Sequence, residues 1–269
     1  MKYGVILFLA FSVVSASAQQ LQAGIKALFL GYDDNVGATY ADIMGSTDSR
    51  FDYANSGYIS DTSGSLLPTL ATLQQYDSVL VWSNYPPEPG LADRLADYVD
   101  AGGGVVLATF TGFHASCCDF SGRINTSGYN PLTTPTVQAY NTRTLGAFDS
   151  SNPLMAAVNS LSSSDFNGDW LDVDSGATVA ASWDDGSPLA AINANGNVAN
   201  ITLFPNVAEF GHALGDYRQL FRNALAETGS SSISAVPEPA SIAIWAVGGL
   251  GMLVSRRNLR SIKARRISI

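Results

Sequence analysis

The chain has 269 residues, 46% of them hydrophobic and 14% charged, with two Cys and a formal net charge of −9, which is the composition of one medium globular domain with tails. Six of the 14 basic residues crowd the last fourteen positions, so the stretch from Gln19 to Ala235 holds only 7 basic against 22 acidic residues. A surface so acidic repels phosphate backbones and stays soluble by mutual repulsion, which excludes nucleic acid as a partner.

Met1 and Lys2 begin the chain with positive charge, Val5 to Val14 follow as an apolar run, and Ala16-Ser17-Ala18 offers a small-x-small cleavage site before Gln19. This is the pattern of a secretory signal peptide over residues 1–18, too short to span a bilayer as an anchor. The mature protein is then expected in an oxidising compartment where nucleotide cofactors are scarce. No cofactor and no resident metal are expected.

Residues 19–229 are long enough for one core and too short for two. Ile25 to Gly31, Ser78 to Trp82 and Gly104 to Phe110 are continuous apolar runs rich in β-branched residues, the mark of parallel strands covered on both faces. Between the second and third runs, Gly90 to Ala101 places Leu91, Leu95, Tyr98 and Val99 on one helical face, and Gly102-Gly103-Gly104 ends that helix. Ala177 to Trp183, Leu189 to Ile192 and Val198 to Phe204 alternate more strongly and predict antiparallel strands at the edge of the sheet. Leu214 to Glu227 predicts a closing helix with Leu214, Tyr217, Leu220, Phe221 and Leu225 inward.

Candidate site residues sit after the strands. Asp33 and Asp34 follow the first run, and Ser83 and Asn84 follow the second. With Asn35, the pair Asp33–Asp34 and Asn84 offer hydrogen-bond acceptors to a sugar at the carboxyl edge, where open α/β sheets bind ligands. The acidic pair is similar to that of response-regulator receivers, but Ser83 and Asn84 stand where a receiver carries its phosphorylated Asp. Phe113-His114-Ala115-Ser116-Cys117-Cys118-Asp119 follows the third run. Its adjacent cysteines form a vicinal disulfide or remain buried thiols; with His114 and Asp119 they also offer soft-metal ligands, a reading the structural role outranks. Asp165 to Asp174 begins with the alternating oxygens of a calcium loop, then departs at Trp170 and lacks the terminal Glu, so a solvated acidic turn is expected. Tyr85, Tyr129 and Tyr140 are candidates for stacking on a glycan.

The C-terminus changes character. Residues 230–236 read as a small polar linker, and Pro237-Glu238-Pro239 forbids a helix. Residues 240–255 carry no charge and stop at Arg256-Arg257, a short spanning helix of roughly 24 Å with its basic tail inside. These three parts in this order resemble the PEP-CTERM sorting signal. That resemblance implies recognition of Pro237, Glu238 and Pro239 by an exosortase-type membrane protease, removal of the helix, and a surface or extracellular protein in a cell that makes exopolysaccharide.

The body itself, through Tyr76 to Trp82, Leu91 to Asp100, Gly102 to Leu107, Ile201 to Pro205 and Leu220 to Leu225, resembles the class I glutamine amidotransferase-like fold and its ThuA-like relatives. The resemblance implies an α/β fold, a flavodoxin-like three-layer sandwich with a mostly parallel sheet and an antiparallel edge. It also implies a catalytic Cys at the elbow after the third run, with a His and an acid downstream. Here that turn reads Phe110-Thr111-Gly112; Cys117 and Cys118 come too late, and His212 near Glu209 lacks a nucleophile to activate. The expectation is a non-catalytic binding domain for a glycan or a protein. The alternative is a secreted carbohydrate or ester hydrolase using Asp33, Asp34, His114 or His212.

Overall fold

The computed structural model describes residues 24–45, 47–111, 118, 120–133, 138–139, 141–168, 172–205 and 213–233. The leader at 1–18, the loop residues His114, Cys117 and Asp119, the pair Glu209 and His212, Pro237 to Pro239, the apolar stretch 240–255 and Arg256–Arg257 all lie outside them. No helix among the described residues is long and apolar enough to cross a membrane.

The first half of the body alternates strand and helix: β1 (Ala27–Tyr32), α1 (Val36–Met44), β2 (Gly57–Ser60), α2 (Leu70–Leu73), β3 (Ser78–Ser83), α3 (Leu91–Asp100) and β4 (Gly104–Leu107). The second half is nearly all strand: β5 (Leu132–Thr133), β6 (Gln138–Ala139), β7 (Arg143–Phe148), β8 (Leu161–Ser163), β9 (Asn167–Gly168), β10 (Asp172–Val173), β11 (Thr178–Trp183), β12 (Pro188–Ile192), β13 (Val198–Ile201) and β14 (Ala213–Gly215), closed by α4 (Tyr217–Ile233).

Ten of these strands form one sheet in the order β14-β8-β7-β11-β12-β13-β4-β3-β1-β2. Parallel pairing joins β2, β1, β3, β4 and β13. From β13 outward through β12, β11, β7, β8 and β14 every pairing is antiparallel. The sheet is therefore mixed in nearly equal halves, not mostly parallel with an antiparallel edge. The sequence hides this because β7, β8 and β14 are short and polar on at least one side, so they lack the apolar runs that announce β1, β3 and β4.

Every residue of β1, β3, β4 and β13 is buried, because helices cover both faces of the parallel half. Alternation along each strand sorts its side chains between two cores. Phe29, Leu80, Trp82 and Val106 meet Val36 and Ile43 of α1 and Leu220, Phe221 and Leu225 of α4. Leu28, Leu30, Val79, Val81, Val105 and Leu107 meet Leu73 of α2 and Leu91, Leu95 and Tyr98 of α3. Each large apolar side chain buried in this way contributes roughly 1.5–3 kcal/mol. The α3 face is the one its spacing predicts, and the helix stops at Gly102, which has φ of +96°. Gly103 has to be glycine, since a Cβ there would lie 2.2 Å from the Tyr98 ring.

Polar clamps fasten α4 across the first core. Arg50 grips Asp48 through Nε and Nη2 at 3.0 and 2.6 Å and reaches Asn223 Oδ1 at 3.0 Å. Asn223 in turn donates to the carbonyls of Leu154 and Ala156. Two expectations fail here. Leu214 lies on β14, 63% exposed, not on the inner face of a helix, because Gly215 at φ +80° separates it from α4. The expected linker from Ser230 is helical through Ile233; Ser230 and Ser231 donate their hydroxyls back to the carbonyls of Ala226 and Glu227, which lets serines continue the turn.

Candidate functional site

The parallel strands all point their carboxyl ends the same way, so the residues that follow them gather at one edge. Asp33, just past β1, is fully buried. Its Oδ2 accepts a hydrogen bond from Trp82 Nε1 at 3.0 Å, and its carbonyl accepts one from Ser60 Oγ at 3.2 Å. A carboxylate so far from water requires such donors. Asp34 turns the other way, is half-buried, and accepts from Tyr85 Oη at 2.6 Å. Asn35 is exposed and left-handed at φ 60°, which turns the chain sharply into α1. The backbone N–H groups of Asn84 and Tyr85 both donate to the Tyr32 carbonyl, at 2.8 and 2.9 Å. Asp33, Asp34 and Asn84 are thus brought to one edge as their spacing predicts; His114, the fourth member of that loop group, lies outside the described residues.

The structure adds groups that the sequence pattern does not single out. Ser83, the last residue of β3, and Thr109, just past β4, lie two residues beyond the paired Val81 and Leu107. Both are fully buried, and neither hydroxyl makes a hydrogen bond within the described chain. Asp61, at the end of β2, gathers the N–H groups of Ser63, Ser65 and Leu66 at 2.7–2.8 Å. Burial pushes its pKa up, but these bonds and the Ser63 hydroxyl together outweigh that and hold it below the ordinary value. Tyr32 donates its hydroxyl to the Leu66 carbonyl from below; burial, with Asp61 and Glu88 nearby, raises its pKa. The signal for this turn was present as Asp61-Thr62-Ser63-Gly64-Ser65, an Asp followed two residues on by a Ser whose N–H it caps.

A chain of amides braces the segment after β4. Asn200 of β13 donates to Asn130, and Asn130 donates to Asn125, each at 2.9 Å. Asn125 then donates to the carbonyls of Phe120 and Thr111 at 2.6 and 3.1 Å, and Thr111 Oγ1 donates to the Val81 carbonyl at 2.7 Å. Cys118 in this segment is fully buried and carries a disulfide.

Other predicted positions are dispersed. Asn167 donates to the Asn141 carbonyl, Asp174 accepts from the Gly128 N–H, and Asp172 lies in the β10 ribbon with β5. Tyr129 is half-buried, with the Arg123 guanidinium 5.9 Å over its ring and its hydroxyl donated to Asp100. Tyr85 is committed to Asp34 through its hydroxyl, and Tyr140 is outside the described residues. The aromatic side chain most open to solvent among the described residues is instead Tyr58 of β2, 54% exposed and 5.8 Å from the Tyr40 ring.

The sequence matches no family model and no curated relative. The fold, however, overlays solved structures. A ThuA-like protein from Bacteroides uniformis matches with a TM-score of 0.52 at 15% identity, covering 77% of this chain and 93% of that one. A second ThuA-like protein, from Parabacteroides merdae, gives 0.50 at 15% identity over 77% and 90%. A GMP synthase protein from Thermoplasma acidophilum gives 0.50 at 11% identity over 77% and 95%. At these identities the likeness is one of fold: the body has a ThuA-like α/β architecture.

Proposed function

We propose that the chain is exported by its leader, handed by its PEP-CTERM-type tail to an exosortase-type membrane protease, and released as a cell-surface or matrix protein whose body binds a neutral glycan without cleaving it. The observation that carries the binding reading is the grouping of Asp34, Asn35, Asn84 and Tyr85, all half-buried or exposed, at the carboxyl edge of the parallel strands. Carboxylate, amide and phenol groups fixed by backbone bonds suit the hydroxyls of a sugar. Two buried hydroxyls without protein partners among the described residues, Ser83 and Thr109, lie beneath the same edge. A neutral glycan fits because 22 acidic residues repel polyanions.

Two features support binding over turnover. The sequence after β4, Phe110-Thr111-Gly112, has no thiol at the place where the amidotransferase resemblance requires one. Asp33, fully buried, holds the Trp82 indole, which fixes it as a structural acceptor, and the half-buried Asp34 is oriented by the Tyr85 hydroxyl. The test uses the purified full-length chain on an array of neutral and acidic oligosaccharides, beside the double variant Asp34→Ala, Asn84→Ala. Binding confined to neutral glycans and lost in the variant supports the reading. Glutamine hydrolysis, or cleavage of a glycoside or ester by the wild type, overturns it.

A further inference from the structure

The chain enters and leaves the body at the amino edge of the parallel strands, opposite the candidate site. Ile25 lies two residues before β1, and its carbonyl accepts the Asp52 N–H at 2.9 Å, in the stretch that leads into β2. At the other end of the body, α4 crosses the first core and finishes among the opening residues of the same strands. The Thr228 hydroxyl lies 2.7 Å from that of Ser78, which begins β3. The Thr228 carbonyl backs onto Gly104, which begins β4, so closely that a Cβ there would stand 2.5 Å from it. A Cβ on Gly229 would stand 2.9 Å from Ile25 Cγ2. One turn past Thr228, Ser231 donates its hydroxyl to the carbonyl of Gly196, just before β13, at 3.0 Å.

These contacts pin the end of α4 to the amino edge, and the helix stops at Ile233. Only residues 234–239 then separate it from the uncharged stretch that opens at Ala240. Six residues pulled straight reach at most about 20 Å. A strand of six residues such as β1 or β3 is itself about 20 Å long, and a folded body of this size is about 40 Å across.

We propose that the anchored chain, before any processing, sits with its amino edge toward the bilayer and its carboxyl edge turned outward, so that the glycan-binding edge is open to soluble ligand while the tail is still in the membrane. This rests on residues 240–255 being the anchor and on the glycan reading of the carboxyl edge. Bringing the carboxyl edge to the lipid would lift the end of α4 about 40 Å off the surface, twice what six residues can reach. Attraction to lipid headgroups is not what orients the body: Asp52, Asp77 and Glu227 stand at the amino edge beside Lys26, and an acidic edge is repelled by an anionic surface. The short tether sets the orientation.

The test reconstitutes the full-length chain in phosphatidylcholine vesicles that carry a rhodamine-labelled lipid. A fluorescent maleimide is placed, without reductant, on Asn195→Cys, next to Gly196 at the amino edge, or on Thr62→Cys, just past β2 at the carboxyl edge; both positions are exposed. Energy transfer to the lipid is expected to be at least about twofold higher from Asn195→Cys than from Thr62→Cys, which stands one strand length farther away. Forty Gly-Ser residues inserted after Ala235 lengthen the tether to roughly 40 Å, the width of the body, and the ratio is expected to fall toward one. Equal transfer from the two positions of vesicle-bound chain, higher transfer from Thr62→Cys, or a ratio that survives the insertion overturns the proposal and leaves the anchor standing. A chain that does not float with the vesicles overturns the proposal through the anchor itself. No glycan is used, so neither result is confused with a failure of glycan binding.

Discussion

The two halves of the ten-stranded sheet obey opposite rules. In the parallel half, β1, β3, β4 and β13 are buried at every residue between α1 and α4 on one side and α2 and α3 on the other. In the antiparallel half, β7 buries only Arg143 fully, β14 exposes Leu214 and Gly215, and β11 changes register twice along its pairing with β12. A strand covered on both faces carries its own instructions as an apolar run with few polar residues, of which Asn200 is held by Asn130. A strand covered on one face takes its position from its neighbours.

Substitutions that compare the halves measure this difference. The largest effect is expected at Trp82→Ala, which empties a fully buried site and leaves the buried Asp33 without its indole donor; urea unfolding should show a loss of about 4 kcal/mol or more. The corresponding change at the other end, Phe148→Ala, should cost under about 0.5 kcal/mol. Similar losses at both would erase the distinction. Next come two glycines with equally tight surroundings. Gly103→Ala drives a methyl into Tyr98 inside a closed layer, and about 2–3 kcal/mol is expected. Gly146→Ala meets the Trp183 carbonyl on a strand that is mostly half-buried or exposed, so β7 can shift and the cost falls to roughly 1 kcal/mol.

Acid provides a third comparison. The Arg50 side chain holds the Asp48 carboxyl below its ordinary value of 3.8, against the opposing effect of burial. A carboxylate depressed by folding stabilises the protein fully above its unfolded pKa, and that contribution disappears as pH falls through the lower folded value. Urea midpoints should therefore drop as the solution is taken from about pH 6 to about pH 3, and Asp48→Asn should flatten that slope. A slope unchanged by the variant would remove the Arg50–Asp48 clamp from the account. The smallest effect is expected at Thr109→Val. Its hydroxyl is buried without a protein partner among the described residues, so an apolar isostere should be neutral or stabilising within about 1 kcal/mol.

The legibility of the sequence follows the same division. The runs at Ala27–Tyr32, Ser78–Ser83 and Gly104–Leu107 and the helix at Leu91–Asp100 were readable within a few residues. So were the three strands from Thr178 to Ile201, although they lie inside the sheet and not at its edge. Strands β7, β8 and β14 were not readable: three to six residues with hydroxyls and glycines carry no periodicity long enough to see. The site was half legible. Asp33, Asp34 and Asn84 follow strand ends and had to share an edge, whereas the Trp82–Asp33 bond joins residues 49 apart. The Asn200–Asn130–Asn125 relay likewise depends on which strands become neighbours, and nothing local in the sequence records that.

The central claim, that the carboxyl edge of the parallel half is a glycan-binding surface, is tested most directly by calorimetric titration of one array-selected neutral oligosaccharide into three full-length proteins. The account predicts binding by the wild type, undiminished binding by Leu214→Lys at the far end of the sheet, and at least about tenfold weaker binding by Asp34→Ala, Asn84→Ala with an unchanged unfolding midpoint. Equal heats from all three proteins, or release of shortened sugar by the wild type, would contradict it.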